Sequence, residues 1–191
     1  MLAMVAVTTA WSVYQATRWA GVQSTDYAHA AALRVDSTRI ATLNGQLRLY
    51  DMILTNNWIN AHFSGNSELE SVFENRLRPE FRPTFMAWLA LDPFNNSDAP
   101  PGPLFMPGYA SSMDDTSEQL SAEADRTFAE GETARELGDG YVLNTVFLAM
   151  VLFLATIADR FQWNAARAAL LLFGLLMLLY GLYRLTTYPI A

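Results

Sequence analysis

This 191-residue chain carries few side chains able to do chemistry. It has no cysteine, which excludes disulfides, thiolate metal sites, iron–sulfur clusters and cysteine nucleophiles. Its histidines are His29 and His62. His29 follows Asp26 by three residues, so the two share one helix face. A metal would need further ligands from another segment, and Asp36 lies nearly two turns away, so a solvated polar face is the expectation. His62 stands beside Asn60 at the end of a helical segment, where a cation suits the helix dipole. Glu130, Glu132 and Glu136 with Arg135 read as a solvated face whose intrahelical ion pairs are worth about 0.2–0.5 kcal/mol each. No G-x-S-x-G elbow, glycine-rich phosphate loop or dinucleotide fingerprint occurs. The chain is therefore expected to hold no catalytic residue, cofactor or metal.

The elements that would position such residues are of membrane type. Hydrophobic residues make up 52% and charged residues 16%, against about 25% charged in ordinary soluble domains. All twelve basic residues are arginine, and the net charge is -7, which argues against nucleic acid as a partner. Two segments read as transmembrane helices, residues 141–158 and 168–185, joined by a short loop at 159–167 and followed by a tail at 186–191. The second of them holds eight leucines between Ala168 and Tyr183, which at about 0.5 kcal/mol each favour insertion by about 4 kcal/mol. Residues 1–20 form a third, more polar candidate span. Trp11, Tyr14 and Trp19 suit an interfacial belt, and no basic lead-in or cleavage site marks a signal peptide. The missing polar lead-in suggests a natural chain that begins further upstream. Thr8, Thr9, Ser12 and Gln15 either hydrogen-bond to neighbouring helices or line a pore, and Ser12, Ala16 and Ala20 form a row that permits close packing. Residues 19–140 carry 18 acidic residues and eight arginines. Such a segment gains nothing from anionic lipid at the cytoplasmic leaflet, so it is expected outside the cytoplasm.

The middle of the chain is expected to be helical with an irregular tip. Residues 21–66 hold Leu33, Ile40, Leu47 and Leu54 in heptad register, with Leu43 and Tyr50 between them and Asp36 and Asn57 on the same seam. With no proline before Phe63, one helix should leave the membrane and run about 90 Å. Residues 112–140 should return. Met113, Leu120, Thr127, Ala134 and Tyr141 form half of their seam, and the small residues Ser117, Ala124, Gly131 and Gly138 form the other half. Glycine costs about 1 kcal/mol in a helix interior, so two in register imply a closely approaching helix. Residues 67–111 make the tip. Ser67 and Glu70 look like a capping box, and Leu69, Val72, Phe73 and Leu77 an apolar face. Pro79 and Pro83 break the helix, and Phe81, Phe85, Trp88 and Leu89 form an aromatic stripe. Asp92 to Tyr109 holds five of the eight prolines. Its Leu104, Phe105 and Met106 should either fold back on the stripe or dock onto another subunit. Phe81, Phe85, Trp88, Phe94, Leu104, Phe105 and Met106 are thus the candidate interaction residues.

The chain resembles a family of uncharacterised bacterial integral membrane proteins. The resemblance lies in Trp11-Ser12-Val13-Tyr14-Gln15-Ala16, Leu49-Tyr50-Asp51, Phe81-Arg82-Pro83, Ala87-Trp88-Leu89, Asp92-Pro93-Phe94 and Asp98-Ala99-Pro100-Pro101. It covers most of the chain and implies an N-terminal span, a helical middle domain and two C-terminal spans in the bacterial inner membrane, with no activity to carry over. Similar proteins have a more basic loop between the last two spans, which bears on orientation. The expected fold is an all-α membrane protein: three transmembrane helices, a long antiparallel helical hairpin and a Pro-rich tip. The expected function is a non-enzymatic structural, accessory or assembly subunit that meets the bilayer and copies of itself or other membrane subunits. The alternative is a homo-oligomeric ion pore lined by the first span.

Overall fold

The computed structural model describes residues 2–107, Tyr109 and residues 112–191. Met1, Gly108, Ala110 and Ser111, which belong to the expected first span and tip, lie outside the described residues, as do the side chains of Ser112 and Met113. The described chain is all-α, without strands. Its elements are α1 (Leu2–Phe63), α2 (Ser67–Arg76), α3 (Arg82–Leu89), a 3-10 turn (Pro103–Phe105), α4 (Ser112–Ala158) and α5 (Asn164–Thr187). Both α4 and α5 contain stretches long and apolar enough to cross a membrane, and 28% and 17% of those stretches are buried within the fold. The chain divides into two compact units, one of Met1–Ala32 with Glu123–Ala191 and one of Leu33–Ala122.

Local chemistry explains where the helices start and stop. No proline interrupts α1. It ends in a Schellman motif: Gly65 has φ +68°, its N–H donates to His62 O, and Asn66 N–H donates to Ala61 O. Asn66 then caps α2, its Oδ1 accepting from Leu69 N–H at 3.0 Å. The cap thus falls one residue before the expected Ser67, because Asn66 itself presents an acceptor to the third amide of the helix. Pro83 sits in the first turn of α3, where its missing N–H costs nothing. The expected returning helix (112–140) and the expected span after it (141–158) are one element, α4. α5 begins at Asn164, four residues before the expected start, because Ala165, Ala166 and Arg167 are good helix formers, and Arg167 N–H already bonds to Trp163 O.

In the first unit, contacts between α1 and α4 step in opposite directions along the two helices. Ser12 meets Asn144, Trp19 meets Gly138, and Tyr27 meets Gly131. Tyr27 stacks on Phe128 at 4.9 Å. Val5, Leu148, Val151 and Leu178 form its apolar core. In the second unit Ser37 donates to Ser117 O at 2.8 Å, and Asn44 and Arg48 bind Asp114. Leu54 and Trp58 of α1 build the core there with Leu77, Phe81, Phe85 and Trp88.

Candidate functional site

The second unit is fastened around one carboxylate. Asp51 of α1 is completely buried. A carboxylate removed from water is tolerated only when paired and hydrogen-bonded. Arg78, held in the link between α2 and α3, supplies both: Nε donates to Oδ1 at 2.9 Å and Nη2 to Oδ2 at 2.5 Å, a fork-on-fork pair. The Tyr109 hydroxyl, at the far end of the Pro-rich segment, donates to Oδ2 at 2.9 Å. The hydrogen bond to Asp51 raises the Arg78 pKa above its ordinary value. Burial, aided by the bond to Asp51, pushes the Tyr109 phenol up to about 12. The Arg48 guanidinium lies 5.9 Å over the Tyr109 ring. Sheltered from solvent and bonded by three donors, Asp51 ties α1, the α2–α3 link and the end of the tip together. Such a group is a fastening; a general acid or base needs access to substrate.

The aromatic residues of the tip divide. Phe81, Phe85 and Trp88 are core, with exposures of 1%, 0% and 2%. The Trp58 ring meets Phe85 edge-on at 5.3 Å, and Trp88 Nε1 donates to Pro100 O at 2.8 Å. Leu104 and Met106 pack against the same cluster. These five side chains fill the unit's own interior, since α3 turns its stripe toward α1 and the Pro-rich segment folds back over it. Phe94 and Phe105 remain at the surface, Phe105 at 71% exposure. An unexpected feature lies beside Phe94. The His62 ring stacks between Trp58 (5.0 Å, 11°) and Phe94 (5.3 Å, 19°), and its Nδ1 is 3.3 Å from the Glu70 carboxylate. The i, i+4 spacing of Trp58 and His62 carried half of that signal; Phe94, 32 residues further on, carried the rest.

In the first unit the small positions of α4 face α1. Ala124 is buried, a Cβ on Gly131 would stand 2.7 Å from the Tyr27 ring, and one on Gly138 would stand 3.5 Å from Trp19 Cβ. Ser117, in the second unit, accepts from Ser37. The polar residues of the expected first span turn away from the surface. Thr8, Ser12 and Gln15 are buried and Thr9 half-buried. Thr8, Thr9 and Ser12 donate to the carbonyls one turn earlier, and Asn144 Nδ2 donates to Ser12 Oγ at 3.1 Å. Gln15 Oε1 accepts from Ala191 N–H at 3.0 Å. Ser12 and Gln15 therefore present no polar surface outside the unit. The segment after α5 makes a clasp that nothing in the sequence announced: Pro189 O accepts from both Trp19 Nε1 and the Tyr141 hydroxyl. The Tyr188 ring lies against Gly140, where a Cβ would come within 2.6 Å.

Among the described residues no group of three or more His, Cys, Asp or Glu is placed to hold a metal ion. No protein-family model, curated protein or solved structure matches this chain.

Proposed function

We propose that the protein is a non-enzymatic integral membrane subunit of the bacterial inner membrane. Three spans (the N-terminal part of α1, the C-terminal part of α4, and α5) anchor a helical middle segment that stands outside the cytoplasm and joins copies of the chain or other membrane subunits. The observation that carries this is the inverted polarity of the first unit. The N-terminal part of α1 hides Thr8, Ser12 and Gln15 while exposing Leu2, Met4, Val7, Trp11, Val13 and Tyr14. On α4 and α5 it exposes Val146, Phe153, Leu172, Phe173, Leu176 and Tyr183 as well. In water such a surface would be a large apolar patch. In hydrocarbon it is the favourable arrangement: apolar side chains face out, Thr8 and Ser12 bond to carbonyls of their own helix, and Asn144 reaches across from α4 to Ser12. The Asp51 fastening, buried and bonded by three donors, supports a scaffold role for the second unit. The burial of Ser12 and Gln15 counts against a pore lined by the first span.

The cysteine-free sequence permits a clean topology test. Single cysteines in place of Ala3, Asn96 and Gln162 are labelled with a membrane-impermeant maleimide in intact cells and in inverted vesicles. Asn96 should be reached from one side, and Ala3 and Gln162 from the other. Labelling of Ala3 and Asn96 from the same side would remove the first span; labelling of Asn96 and Gln162 from the same side would remove the C-terminal pair.

A further inference from the structure

One face of α1 in the first unit has no partner within the fold, and its residues change character in order. Val7, Trp11, Tyr14, Arg18 and Gly21 recur at spacings of four and three, with Val22 one turn beyond Arg18 beside Gly21, so they form one exposed stripe. Val7 is 71% exposed and Tyr14 54%. The Trp11 and Tyr14 rings lie 5.8 Å apart. Arg18 stands one turn beyond Tyr14, exposed and with no carboxylate partner among the described residues. Beyond it a groove of about 500 Å³ opens along the helix, lined by Thr17, Arg18, Gly21, Val22, Thr25 and Asp26. Gly21 leaves its floor open, because no atom lies within 4 Å of where its Cβ would be.

This is the polarity sequence of one phospholipid molecule. From Val7 to Arg18 is eleven residues, about 16 Å of helix, close to half of a hydrocarbon core about 30 Å thick. Aliphatic side chains thus lie at the depth of acyl chains and aromatic rings at the glycerol level. A guanidinium stands at the level of the phosphates, which it binds well through its forked donors. Asp26, two turns beyond Arg18, places a negative charge at the far end of the groove, so the groove accommodates one phosphate and repels a second anionic group there. We propose that this face of α1 is a binding site for a single anionic phospholipid, with Arg18 holding its phosphate and the Gly21 groove receiving its headgroup. The proposal rests on α1 being a span.

Native mass spectrometry of the full chain, purified in detergent and titrated with phosphatidylglycerol or phosphatidylcholine, tests it. The wild type should retain one phosphatidylglycerol per chain in preference to phosphatidylcholine. Arg18→Gln should weaken that preference by about tenfold, in line with loss of a charged hydrogen-bonding partner. Arg18→Lys should retain most of it, and helix content by circular dichroism should be unchanged throughout. Equal retention by Arg18→Gln and the wild type would overturn the headgroup site while leaving the span intact. Displacement of the lipid by millimolar inorganic phosphate would show a free-anion site and overturn the lipid assignment. A chain that stays soluble without detergent and retains no lipid would overturn both the site and the membrane function on which it rests.

Discussion

At the residue scale the second unit depends on Asp51, a carboxylate that has left water and recovers its solvation from three donors. Its Tyr109 contact gives a pH dependence of definite sign. The Tyr109 pKa rises from 10 to about 12 on folding, chiefly through burial and then through the hydrogen bond to Asp51. The folded state therefore holds that proton more tightly than the unfolded chain does. The stability from this contact is complete below pH 10 and is lost as the pH rises through about 12. Wild type and Tyr109→Phe, melted in detergent at pH 8, 10 and 11.5, should differ most at pH 8 and converge at the highest pH. A gap that stays constant across the series would mean that the hydroxyl contributes nothing through its proton. Phe81, which meets the Tyr109 ring edge-on at 5.5 Å, should hold the variant's ring in place.

At the element scale, much of the architecture was written in the order of breakers and repeats. Proline-free stretches gave the helices, and the prolines around α3 and the loop gave the irregular tip. The small half-seam of α4 pointed to a close neighbour, and Gly131 and Gly138 do meet α1. The partners of Asp51 were not legible. Nothing in the spacing around Asp51 points to Arg78 and Tyr109, which lie 27 and 58 residues away and reach it only in the fold. The clasp at Pro189 was hidden for the same reason, since its donors Trp19 and Tyr141 are 170 and 48 residues distant. The glycines of the long helices now divide by environment, which makes a sharp comparison. Gly131→Leu must displace a Tyr27 ring already stacked on Phe128, and should cost about 1–3 kcal/mol. Gly45 has open space around its Cβ position, so Gly45→Ala should stabilise by about 0.5–1 kcal/mol through helix propensity alone. Glu130→Gln, on an exposed position beside Gly131, should stay within about 0.5 kcal/mol of wild type. Thermal melts of the three variants check the order, and a Gly131→Leu protein as stable as Glu130→Gln would remove the close α1–α4 contact.

At the scale of the whole molecule, the surfaces say where the chain can meet others. Hydropathy alone marks α4 and α5, because α1 dilutes its apolar stretch with the same Thr8, Ser12 and Gln15 that it then hides. Away from the first unit, the apolar surplus of the tip contracts from seven side chains to Phe94 and Phe105 once the core of the second unit is formed. Phe94 is engaged with His62 and Phe63. Phe105 projects from the 3-10 turn, and its neighbours Leu104 and Met106 turn inward against the aromatic cluster. Three adjacent positions thus separate assembly from folding. Leu104→Ser and Met106→Ser remove packed apolar side chains and should lower the stability of the second unit by about 2–3 kcal/mol. Phe105→Ser gives up only exposed surface in the isolated chain, so its melting curve should match wild type. If the tip joins copies of the chain or another membrane subunit, Phe105→Ser should dissociate that assembly when membranes are solubilised in mild detergent and sized by light scattering. A Phe105→Ser protein that remains assembled would assign Phe105 no part in holding copies or subunits together and would move the search for the contact to other exposed faces of the second unit.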